Sequence, residues 1–150
     1  MSTEKIISCL DQEHKKLMKQ KEMLLLKIDE ARNNQTIEDS DLVLYNFNSE
    51  LKFILTQIEK IEDTLRTINQ CGDKVKRKIG DRIKIGDCVK LDHPEKSLLY
   101  YITASSQYVD PSIGLISASS PLAEQILQNK FGDRVSIGFN GDSRECLLLP

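Results

Sequence analysis

The chain has no tryptophan, only two histidines and four cysteines, and its first 70 residues contain neither glycine nor proline. Each shortage closes a door. With aromatics at only 5% of residues, a large aromatic core is excluded and an aliphatic seam is favoured. His14 and His93 stand far from any nucleophile pattern, so a serine or cysteine triad cannot be assembled. G-x-S-x-G, P-loop, G-x-G-x-x-G and H-E-x-x-H patterns are all missing. Cys9, Cys71, Cys88 and Cys146 form no C-x-x-C pair, and MSTEKIISCL does not read as a secretory leader. The expectation is unpaired thiols in a reducing, cytoplasmic compartment. No apolar run nears the roughly 20 residues of a membrane span. A net charge of −2 rules out nucleic-acid binding through bulk positive charge. No catalytic activity of the chain's own is expected.

What the chain does have falls into two halves. All seven glycines and all four prolines lie beyond residue 70, a shift in punctuation that marks a domain boundary. Before it, Leu44, Phe47, Leu51, Ile54, Ile58, Ile61, Leu65 and Ile68 alternate steps of three and four, which is an unbroken heptad seam. Leu10, Leu17, Leu24, Ile28 and Ala31 keep the same frame upstream, interrupted by His14 and Lys21. The pattern predicts helices over 3–33 and 40–70, each ~45 Å long at 1.5 Å per residue. Their connection, NNQTIED, is short enough to force them antiparallel, with Asp39 or Ser40 as N-cap of the second helix.

Beyond Gly72 the runs DCVKL, LLYYITA, GLISA, RVSIGF and ECLLL read as short strands. Between the third and fourth, SSPLAEQILQNKFGD reads as a helix with Ser120 at the N-cap, Pro121 at its first position and Gly132 beyond its end. The predicted architecture is α+β: a helical hairpin over 1–73, a basic linker or first strand over 74–84, and a small, mostly antiparallel β domain with one short helix over 79–150. Such a hairpin protrudes, and a monomer is expected because its seam is filled within one chain.

Two clusters carry chemistry. Glu38, Asp39 and Asp41 sit at the hairpin tip near 36–41 without a basic residue among them. Exposed carboxylates on a turn make a poor Mg²⁺ site alone, but they suit a metal already held by another macromolecule, where a second ion activates water for phosphodiester chemistry. Lys74, Lys76, Arg77 and Lys78, continuing to Arg82 and Lys84, form either a solvated linker and strand edge or a local positive field for phosphates or an acidic partner.

The order IGDCVKL, YYITA, Asp110, then LISASSPLAEQILQNKFGDRVSI resembles the GreA/GreB family of bacterial transcript cleavage factors. Ile116, Ser117, Ser120 and Pro121 match its Ile-Ser-x-x-Ser-Pro segment. The resemblance implies a coiled coil that enters the secondary channel of RNA polymerase and an FKBP-like domain that rests on the channel rim. Glu38, Asp41 and Tyr45 keep the family's acid-acid-Tyr spacing, with the two acids exchanged in length. By resemblance, Glu38 and Asp41, helped by Asp39, would share the polymerase Mg²⁺ and stimulate cleavage of backtracked RNA, with no cofactor of the chain's own. Lys74, Lys76, Arg77 and Lys78 would hold the RNA 3′ end, and Ser119, Ser120, Pro121 and Leu122 would meet the polymerase.

The tip also departs from the family, with Ile37 in place of Gly, Leu42 in place of Asn and Leu44 in place of an acid. That pattern keeps a second reading open: a non-catalytic channel binder that competes with true cleavage factors. A prolyl isomerase and a coiled-coil adaptor are the remaining alternatives.

Overall fold

The computed structural model describes residues 3–33, 40–71, 76–139 and 141–150. Helices α1 (Thr3–Asn33) and α2 (Ser40–Cys71) precede strands β1 (Cys88–Asp92), β2 (Ser97–Thr103), β3 (Leu115–Ser117), β4 (Arg134–Phe139) and β5 (Asp142–Leu149). A single 3-10 turn (Pro111–Ile113) stands before β3, and helix α3 (Pro121–Leu127) follows it.

The heptad seam does what its spacing predicts. Ile6, Leu10, Leu17, Leu24 and Ile28 of α1 are buried, as are Ile54, Ile58, Ile61 and Ile68 of α2. Each such side chain contributes ~2 kcal/mol of apolar burial. The connection between Asn33 and Ser40 can span ~25 Å at most when extended. Since each helix is over 45 Å long at 1.5 Å per residue, side-by-side packing requires them to be antiparallel. His14 bonds Glu62 across the pair at 2.9 Å, in keeping with that register. Toward the tip the seam thins: Leu44, Phe47 and Leu51 are only half-buried, because no third element among the described residues covers them.

The sheet order is β3-β2-β1-β5-β4. Three of its four pairings are antiparallel, but β2 and β3 run parallel, with Tyr101 opposite Leu115 and Thr103 opposite Ser117. The sheet is thus mostly antiparallel, as the sequence predicts, with one parallel pair at its β3 edge. After β2 the chain turns, passes through the 3-10 segment and re-enters in the same direction, as a parallel pair requires. Gly114 makes the re-entry: its φ is +89°, and a Cβ there would lie 2.5 Å from Leu99 O. The segment 74–84 supplies no strand among its described residues, only an isolated bridge from Arg82 to Lys130.

Two cores result, one on each face of the sheet. Side chains alternate across a strand, so neighbours in β2 and β3 point opposite ways. Ile102 and Ile116 join Val89, Leu91, Ile126, Phe131 and Leu148 under α3. Tyr101 and Leu115 join Ile6, Leu10, Ile61 and Ile68 at the base of the hairpin. A strand buried on both faces reads as a continuous apolar run, which explains LLYYIT. The hairpin is therefore rooted in the sheet, not tethered to it.

Candidate functional site

Two of the tip acids, Glu38 and Asp39, lie outside the described residues. Asp41 is described: it is exposed and sits in the first turn of α2, where the unpaired amides of a helix start favour negative charge. Beside it on α2, Leu42 is 63% exposed and Tyr45 69%. Among the described residues, no group of three His, Cys, Asp or Glu side chains converges as a metal site.

The basic segment divides. Lys74 lies outside the described residues, while Lys76 and Lys78 are exposed. Arg77 turns inward and grips Asp87 through both nitrogens: Nε donates to Oδ1 at 2.7 Å and Nη2 to Oδ2 at 2.8 Å. Asp87 is 9% exposed and also accepts from Lys84 N at 2.8 Å. The hydrogen bonds to Asp87 raise the pKa of Arg77, outweighing the lowering effect of burial. Its guanidinium thus staples the chain leaving the hairpin to the turn before β1, while Lys76 and Lys78, with Arg82 and Lys84 further on, stay exposed and can offer charge to a phosphate.

The Ser-Pro turn forms as the sequence predicts. Ser120 Oγ accepts from Ala123 N at 3.2 Å, capping α3, and Pro121 takes the first helical position, where its missing N–H is not needed. The helix ends at Leu127, ahead of the Gly132 stop. Ser119 and Pro121 are exposed while Leu122 is half-buried, and Ser117 and Ser119 share a hydroxyl hydrogen bond of 2.9 Å. Pro121 and Leu122 line an apolar groove with Ile116 and Ile137, between α3 and the β4 edge.

Sequence reasoning missed the contact that joins the halves. Gln107 and Tyr108, in the loop after β2, bond Asp63, Thr64 and Thr67 on α2. The only available signal was Thr64 lying one step off the heptad seam, and that is too weak to predict a partner.

Residues 76–147 match the family described as transcription elongation factor, GreA/GreB, C-terminal. The match marks this half of the chain as similar to the C-terminal domain of the GreA/GreB transcription elongation factors. The GreA/GreB domain so defined begins just before the Arg77 staple and ends inside β5. Over the longer chain, the structure is similar to that of GreA factor homolog 1 (Gfh1) of Thermus thermophilus. The identity is 20%, the TM-score 0.41, and the alignment covers 91% of this chain and 92% of that one. Gfh1 of Thermus aquaticus is similar at 21% identity, with a TM-score of 0.41 and 91% of each chain covered. No curated protein sequence matches the chain.

Proposed function

We propose that this chain is a GreA/GreB factor that binds bacterial RNA polymerase, inserts its hairpin into the secondary channel and lends Glu38 and Asp41, with Asp39 as helper, to the polymerase Mg²⁺. The outcome is hydrolysis of backtracked RNA by the polymerase, the factor contributing ligands and no active site of its own. The observation that carries the reading is the exposed Asp41 in the first turn of α2, at the end of that helix remote from the GreA/GreB domain. A carboxylate there has one outer ligand position to offer, which suits a cation whose remaining ligands are fixed by the partner. Exposed Lys76 and Lys78 at the base add positive charge for the RNA 3′ end, and the groove beside Pro121 and Leu122 suits the channel rim.

A second reading has its own support. Leu42 and Tyr45 flank Asp41 and are largely exposed, which suits packing against a channel wall better than holding hydrated metal. On that reading the chain occupies the channel and competes with true cleavage factors. A transcript-cleavage assay on stalled complexes separates the two. Shortened RNA that disappears in a Glu38→Ala, Asp41→Ala variant supports catalytic assistance. Absence of shortening, with displacement of an authentic cleavage factor, supports the competitor. Failure of the polymerase to retain the chain in a pull-down removes both.

A further inference from the structure

Two apolar surfaces in contact can slide or rotate past one another, because hydrophobic burial is non-directional. The hairpin meets the sheet through such a surface, where Ile61, Ile68, Tyr101 and Leu115 are at most 1% exposed. A polar side chain, that of Gln107, is set into its edge. Gln107 is 9% exposed, and its amide is used at both ends. Nε2 donates to Thr67 Oγ1 at 2.9 Å and to Asp63 Oδ2 at 3.3 Å, while Oε1 accepts from Ala104 N at 3.2 Å. Beside it, Tyr108 N donates to Thr64 Oγ1 at 3.1 Å. Thr64 is wholly buried and donates in turn to Lys60 O at 2.7 Å.

We infer that Gln107 is a positioning residue that fixes the direction of the hairpin relative to the GreA/GreB domain and thereby where the tip lies when that domain is seated on its partner. The second half of this statement rests on the functional reading above; the first does not. Hydrogen bonds supply the directionality that the apolar contact lacks, and a buried amide tolerates few orientations in which its partners are all met. Leverage makes the effect large. From Thr64 to Asp41 the α2 axis runs ~35 Å at 1.5 Å per residue, so a swing of about 10° at the base carries the tip ~6 Å. A ligand for a reacting centre tolerates displacement of only ~1 Å before the rate falls ~100-fold.

The test is a distance distribution in the full chain between probes at exposed Glu50 on α2 and exposed Glu124 on α3, attached through non-natural side chains. The unaltered protein should give one narrow distribution. Gln107→Ala and Thr67→Val should each broaden it by several ångströms while helix content is kept. Pairing Gln107→Glu with Asp63→Asn exchanges donor and acceptor and should narrow it again, a recovery that a loss of packing would not show. Widths that stay equal in all variants overturn the proposal, as does broadening that the exchanged pair leaves in place. Should Gln107→Ala not fold, Thr67→Val decides alone, because a methyl group replaces the hydroxyl at the same size. A broadened distribution with unchanged action on the polymerase supports the lock and removes the functional reading instead.

Discussion

Replacing Arg77 with alanine should unfold the GreA/GreB domain early and leave nucleic-acid contacts a secondary matter. The pair it breaks is bidentate, with bonds of 2.7 and 2.8 Å. The Arg77 side chain is only 22% exposed and that of Asp87 10%, so water cannot fully replace the lost partner. Breaking a fully buried pair typically costs ~3–5 kcal/mol. The partial exposure and the surviving bond from Lys84 N lower the expectation to about 2–3 kcal/mol. Hairpin and sheet share a core and should melt as one unit, for which each kcal/mol moves the melting point by roughly 2–4 °C, so a fall of about 5–10 °C is expected. Arg77→Lys keeps the charge but loses the planar fork and should give about half that drop. Lys76→Ala, one residue away and exposed, should fall within about 0.5 kcal/mol of the unaltered chain. Differential scanning calorimetry reads all three. If Arg77→Ala melts with the unaltered protein while its affinity for RNA falls, the guanidinium belongs to phosphate binding and the staple argument is wrong.

Three further outcomes follow from the packing. Ile61→Ala should cost about 3 kcal/mol. Because Ile61 lies in the cluster shared by hairpin and sheet, helix and sheet signals should melt together; separate transitions would show that the halves fold independently. Gly114→Ala puts a Cβ against Leu99 O at a φ of +89° and should lose about 2–3 kcal/mol, measured by denaturant unfolding, with a neutral result contradicting the tight re-entry into β3. Burial, with the Asp87 charge adding to it, pushes the Cys88 thiol from its ordinary 9.0 up to about 11. Between those values the folded chain keeps a proton that the unfolded chain releases, so stability should decline as pH rises from about 9 to about 11. Cys88→Ala should flatten that decline, and Cys88 should resist alkylation at neutral pH by mass spectrometry.

The two long helices were legible because a three-four spacing of Leu and Ile repeats from Leu44 to Ile68, and periodicity over that length outweighs any local preference. The strands were legible from short apolar runs between turn residues. The capped start of α3 was legible because Ser120 and Pro121 act within one turn of chain. Harder cases all involved distant partners. Arg77 reads as one of several basic residues until Asp87 is folded against it. The parallel pairing of β2 with β3 depends on where the loop between them runs, which no local pattern records. Of the tip, Asp41 falls in the first turn of α2, as the capping candidates Asp39 and Ser40 just before it imply.

The chain's own order of residues determined that there would be a hairpin, a small sheet and a capped turn, since each follows from interactions spanning a few positions. Only the folded arrangement decided that the hairpin is rooted in the sheet through Tyr101 and Leu115, that Gln107 holds it there, and that one arginine of a basic run faces inward. Those outcomes depend on which surfaces exclude water together, and that is a property of the assembled whole.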